Sequence, residues 1–181
     1  LIRAGKSPSE IAVLYRANFQ SRALEDAFLA QSVPYQMLGT RFFERREVKD
    51  ILSYLRLAIN PESTGDLARI INVPARGIGK ATVLKLLEGK RTDIAPAGVA
   101  RVRLFEDLMA EIRDSTKHSR ITETLKLIVR RSGIEEELRN GGEEGLERLE
   151  NIRELVSLAT RYEHYEPLVA AERLLEDAAL Q

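Results

Sequence analysis

Hydrophobic positions recur at helical spacing through most of this chain. Ala23, Leu24, Ala27, Phe28 and Ala30 form one stripe, and Val48, Ile51, Leu52, Leu55 and Ile59 form a stronger one that Asn60-Pro61 stops. Val102, Leu104, Phe105, Leu108, Met109 and Ile112 mark a helix over 99–114. The next helix starts at Ser119 or Thr122, carries Leu125, Ile128 and Val129, and ends at Gly133. A brief helix over 134–138 is closed by Asn140-Gly141-Gly142. A long one over 143–163 carries Leu146, Leu149, Ile152, Leu155, Val156 and Leu158. Pro167 opens the last, with Leu168, Ala171, Leu174, Leu175 and Ala178 on one face. Between these runs, 89–98 reads as a surface loop.

Two stretches break the helical rule. Ile11-Ala12-Val13-Leu14-Tyr15 is nearly continuous in apolar residues, as in a strand buried on both faces. Tyr35-Gln36-Met37-Leu38 reads as a second short strand ending at Gly39. Strand, loop and helix in that order begin an α/β unit. Two strands make too small a sheet to stand alone, so the rest of the sheet, and a longer natural chain, are expected. The predicted class is mainly α: a helical bundle over 41–181 with a short α/β piece over 1–40.

One loop stands out between two short amphipathic runs. Leu67-Ala68-Arg69-Ile70-Ile71 leads into Val73-Pro74-Ala75-Arg76-Gly77-Ile78-Gly79-Lys80-Ala81-Thr82, and Val83-Leu84-Lys85-Leu86-Leu87 follows. Asp66 is the expected N-cap of the first run. Gly77 and Gly79 tolerate positive φ and close approach of another backbone. The amides near Gly79 and Lys80 then lie at a new helix N-terminus, where unpaired N–H groups and the dipole favour phosphate. Thr82 adds a hydroxyl; Arg76, Lys80 and Lys85 add charge. A helix-hairpin-helix grip on a DNA backbone needs these groups and no base reading. A plain helical corner, with glycines for geometry alone, reads the same residues equally well.

Composition narrows the chemistry. Lys and Arg number 28 against 28 Asp and Glu, so nucleic-acid binding has to come from a local patch, with 41–49 and 76–90 as the basic candidates. The chain has no Cys and only His118 and His164, far apart, which disfavours a disulfide, a metal site or a His-based triad. No apolar run is long enough to span a bilayer, and no membrane partner is expected. The phosphate-binding pattern G-x-x-x-x-G-K-[ST] does not occur, so the chain by itself is expected to be catalytically inactive, with no cofactor bound. Tyr15-Arg16 closes the first predicted strand, at the end where α/β sheets face their ligands. An Arg there can reach a nucleotide phosphate and a Tyr can stack on a base; a core Tyr and a surface Arg fit that position too.

Several stretches taken together resemble one family. Ile11-Ala12-Val13-Leu14-Tyr15-Arg16-Ala17-Asn18-Phe19-Gln20-Ser21-Arg22 resembles the fourth motif of the UvrD/PcrA/Rep-like DNA helicases. Val33-Pro34-Tyr35, Gly39, Phe42-Phe43 and Arg45-Arg46-Glu47-Val48-Lys49-Asp50 resemble the segment that follows it. Ile70-Ile71-Asn72-Val73-Pro74-Ala75-Arg76-Gly77-Ile78-Gly79 resembles the hairpin of the inserted 2B subdomain, and Arg148-Leu149-Glu150-Asn151-Ile152-Arg153-Glu154-Leu155 a late 2B helix. The matches keep the family's order. Phe19 stands where the family usually has a small residue, and Gly65 where it continues a helix, so the first hairpin helix is expected to begin late.

The resemblance implies an ATP-driven motor that moves 3′ to 5′ along single-stranded DNA and parts the duplex, with ATP and Mg²⁺ as cofactors of the intact protein. It implies a bacterial, cytoplasmic and nucleoid-associated setting, with a role in DNA repair. Residues 1–40 then correspond to the start of the second RecA-like (2A) subdomain and 41–181 to its 2B insertion. Tyr15 would stack on adenine, and Arg16 would contact the γ-phosphate as an arginine finger. Arg76, Gly77, Ile78, Gly79, Lys80, Thr82 and Lys85 would meet the duplex backbone at a single-strand/double-strand junction. With the resemblance, the phosphate reading of the loop leads. A stand-alone helix-hairpin-helix DNA-binding adaptor and a helical protein-interaction scaffold are the alternatives.

Overall fold

The structure is a computed structural model and describes residues 2, 5–15, 20–36 and 41–180. Helix α2 (Arg46–Ile59) is its centre: ten of its residues, including Val48, Ile51, Tyr54 and Leu55, are buried. A helix closed off on nearly every side belongs inside a bundle. It packs against α3 (Thr64–Ile70), α5 (Pro96–His118), α6 (Ile121–Ser132) and α8 (Gly142–Ala159). Helix α7 (Ile134–Arg139) lies against α8, and α9 (Pro167–Ala179) closes the bundle on α5 and α6. The core is a run of Leu, Ile and Val side chains with Phe42, Phe43, Phe105 and Tyr162. This is the mainly α bundle read from the sequence.

The stops fall where local chemistry puts them. Asn60 caps the end of α2, Pro167 is the first residue of α9, and Gly133 takes φ +89°, the left-handed turn that ends α6 and leads into α7. Several boundaries differ from expectation: α5 runs on to His118, and α6 starts at Ile121 with Arg120 at its N-cap. Helix α3 starts at Thr64 with Ser63 as its cap, so Gly65 does not delay it. Asp66 sits on the third position, accepts the Ser63 hydroxyl at 2.6 Å and pairs with Arg56 at 2.8 Å. A carboxylate in a first helical turn is favoured by the dipole. Most of the 89–98 loop is a 3-10 turn, Arg91–Asp93, and the first residues of α5. The helix expected over 143–163 ends at Ala159 in a 3-10 turn, Thr160–Tyr162.

The predicted strands do not form among the described residues. Residues 11–15 form no strand or helix, and Val13 and Leu14 are exposed, Leu14 by 92%. A strand is defined by its neighbour, and no neighbour is present here. Tyr35 and Gln36 likewise have no regular structure and are exposed, while Met37, Leu38 and Gly39 lie outside the described residues. Helix α1 (Ser21–Ala30) forms as predicted but packs opposite to its stripe. Ser21, Arg22 and Glu25 are buried, whereas Ala23, Ala27, Leu29 and Ala30 are exposed. Its contacts with the bundle are polar: Arg45 donates to Ser21 Oγ at 2.8 Å, Arg161 pairs with Asp26 at 2.7 Å, and the Arg22 guanidinium lies over the Phe43 ring.

Candidate nucleic-acid interface

The corner expected at Gly77-Ile78-Gly79 joins α3 to α4 (Lys80–Leu87). Its shape is set by one side chain that the sequence did not single out. Asn72 donates from Nδ2 to Ile78 O at 2.7 Å and accepts the Ile78 amide at 3.2 Å and the Arg76 amide at 3.3 Å on Oδ1. It thus supplies the partner that a short loop lacks. Gly77 takes φ +66°, a value that side-chain-bearing residues rarely adopt. Gly79 differs: its φ is −65°, it is the N-cap of α4, and no atom lies within 4 Å of where a Cβ would point. Gly79 thus faces open space.

The amides of Thr82 and Val83 both donate to Gly79 O. The amides of Gly79, Lys80 and Ala81 have no backbone acceptor among the described residues. They belong to exposed residues at the positive end of the α4 dipole. Lys80 is exposed beside them. A second cation comes from α5: Arg101 is exposed and donates from Nη1 to Gly77 O at 2.6 Å. Its guanidinium carbon lies 3.4 Å from where a Cβ on Gly77 would stand, so it covers the turn.

The remaining predicted contacts are placed differently. Ile78 is buried, 3% exposed, and its amide is taken by Asn72. Thr82 is half-buried, with its Oγ1 3.2 Å from the Cβ direction of Gly98 at the start of α5. Lys85 donates to the Asp93 carbonyl. Arg76 turns inward: Nη2 donates to Tyr54 Oη at 2.7 Å and to Ser132 O at 3.0 Å, and Nη1 faces carbonyls of the preceding loop. Exposed charge at the corner comes from Lys80 and Arg101.

Of the pair expected to face a nucleotide, Arg16 lies outside the described residues, as does Phe19. Tyr15 is half-buried and close enough to Arg45 to favour its charge. Burial lowers the Arg45 pKa from its ordinary value, and Glu47, Tyr15, Glu25 and Glu147 act against that. Arg45 Nη1 also donates to Asn151 Oδ1 at 2.6 Å, and Asn151 Nδ2 to Glu47 at 2.6 Å. Ser21 at the start of α1 and Asn151 on α8 therefore meet through Arg45 at one buried polar cluster. Among the described residues no three His, Asp or Glu side chains converge as a metal ion would require.

The UvrD-like helicase C-terminal domain family matches residues 2–181. The chain belongs to that family. ATP-dependent DNA helicase PcrA of Staphylococcus epidermidis is 35% identical to this UvrD-like domain over 92% of the chain, and PcrA of Staphylococcus aureus is likewise 35% identical over 92%. The UvrD-like chain spans about a quarter of the length of these relatives, 25% in each. No helix among its described residues is long and apolar enough to cross a membrane.

Of three residues that shape this UvrD-like corner, two carried faint signals in the sequence. Asn72, two residues before a proline, is a common side-chain clamp for a turn. Tyr54, on the buried face of α2, needs a partner for its hydroxyl. Arg101 carried no signal at all, being 24 residues from the carbonyl it meets.

Proposed function

We propose that this chain serves an ATP-dependent 3′–5′ DNA helicase of the UvrD/PcrA/Rep type. In this reading, residues 1–40 open the second RecA-like subdomain and residues 41–181 form its 2B insertion. The insertion meets the sugar-phosphate backbone of duplex DNA at a single-strand/double-strand junction, without reading sequence. Amides at 79–81 without a backbone acceptor among the described residues, on exposed residues flanked by Lys80 and Arg101, are the observation that carries the reading. Backbone N–H groups and cations without a base-reading side chain suit phosphate contact. The exposed apolar side of α1, with Leu29 56% exposed, favours a helicase subdomain over a stand-alone adaptor.

ATP and Mg²⁺ serve the longer protein. Tyr15 and Arg16 would face the nucleotide there, and no chemical step passes through the described residues of this chain. In the longer protein, Arg16→Ala is expected to reduce ATP turnover more than ATP binding, and normal turnover would remove Arg16 from that role.

The duplex contact is tested with a labelled duplex bearing a 3′ single-stranded tail. Binding should be weak, indifferent to sequence and steeply salt-dependent, with log K falling against log salt at a slope of about −2 for two neutralising cations. Gly79→Asp puts a carboxylate into open space at the N-cap, where Asp caps at least as well as Gly. Stability should hold or rise by about 0.5 kcal/mol while duplex binding is lost. Equal affinity of this variant and the parent would falsify the contact.

A further inference from the structure

The Arg76 guanidinium lies where two helices end. Helix α3 closes at Ile70 and α6 at Ser132, and the last carbonyls of a helix have no donor of their own. Nη1 shares its hydrogens among Ile70 O and Val73 O, each at 3.1 Å, and Ile71 O and Pro74 O, each at 3.3 Å. Nη2 reaches Ser132 O at 3.0 Å. The negative ends of both helix dipoles favour a cation at this point. The rings of Tyr54 and Phe105 flank it, with centroids 5.8 Å and 5.4 Å away. Tyr54 Oη accepts from Arg76 Nη2 and donates to Val73 O at 2.5 Å. Four helices, α2, α3, α5 and α6, therefore close on one side chain at the base of the Gly77-Ile78-Gly79 corner.

We infer that Arg76 is a positioning residue rather than a phosphate ligand: with Tyr54 it braces the corner in the shape that presents the amides at 79–81. The inference rests on the proposed duplex contact and deepens it. No phosphate can take these donors without stripping two helix ends of their caps. Lys cannot replace the brace, because an ammonium has three donors on a flexible stem and no planar fork to span both helix ends and the phenol.

Arg76→Lys, Tyr54→Phe and Lys80→Ala in the 181-residue chain test this. Each is titrated with the tailed duplex across a salt series, and amide exchange is followed without DNA. Arg76→Lys and Tyr54→Phe should each weaken binding about tenfold while keeping the parental salt slope. Exchange should quicken at the hydrogen-bonded corner amides, those of Arg76, Ile78, Thr82 and Val83, and stay parental in α8. Lys80→Ala should instead reduce the salt slope by about 0.9 and leave loop exchange unchanged. Parental affinity in Arg76→Lys or Tyr54→Phe overturns the inference, as does faster exchange spread evenly through the bundle. Should Arg76→Lys not fold, Tyr54→Phe decides alone, since a phenol that is fully buried acts on DNA only through the loop. A parent that binds no duplex ends the proposed function and not the brace; parental exchange at the Arg76, Ile78, Thr82 and Val83 amides in both variants would then end the brace.

Discussion

Tyr54 shows how much one buried hydroxyl can hold. Burial pushes its pKa up to about 12, against the opposing pull of the Arg76 guanidinium. The folded state thus keeps a proton that the unfolded chain releases near pH 10. This stabilisation is complete below pH 10 and is lost as pH rises through 12, by about 2–3 kcal/mol. Tyr162, also pushed to about 12 by burial and by its bond to Asp177, adds in the same sense. Urea unfolding between pH 8 and 11.5 should show stability falling steeply in the parent and less steeply in Tyr54→Phe. A parallel decline in the two proteins would rule out Tyr54 as a source. At this scale the sequence was a partial guide. The residue types of the corner were visible at Gly77, Gly79 and Lys80. Side-chain direction was not: Arg76 and Ile78 sit in the same stretch and turn inward, because helix ends and core from distant segments take them up.

Among the elements, α7 and α8 meet with no room for a side chain at Gly145. A Cβ on Gly145 would stand 1.9 Å from Leu138 O, and a backbone atom cannot swing away as a side-chain tip can. Gly145→Ala should cost about 3 kcal/mol in denaturant unfolding; a loss under 0.5 kcal/mol would mean that the helices separate easily. Gly98 differs in kind, since its Cβ would meet the Ile94 and Thr82 side chains, which can adjust. Helix α1 is held by ion pairs and hydrogen bonds, so its amides should exchange well before those of α2, and faster still in high salt. Equal protection of the two helices would show that apolar packing secures α1 after all. Helix boundaries were legible where Pro or Gly dictates the backbone, as at Pro167 and Gly133. The start of α3 was not, because Ser63 and Gly65 carry opposite signals and Asp66 settles them through a contact with Arg56 on another helix. Residues 11–15 carry strand composition, yet a strand also requires a partner, which no local pattern can supply.

Across the whole molecule, charge is balanced, and what distinguishes the corner is where charge is left over. Arg91 pairs with Glu106 and Lys90 with Glu88, so the loop after α4 is largely neutralised. Lys80 and Arg101 remain beside the amides at 79–81. Total charge therefore says little about affinity here, and salt titration of the corner variants says much. The convergence of two helix ends on a single guanidinium has one more consequence. The mould for the corner is cast by Tyr54, Phe105 and Ser132, none of which belongs to the hairpin itself. A peptide copied from residues 64–88, or the same stretch transplanted onto a foreign scaffold, would keep the glycines and forfeit their arrangement.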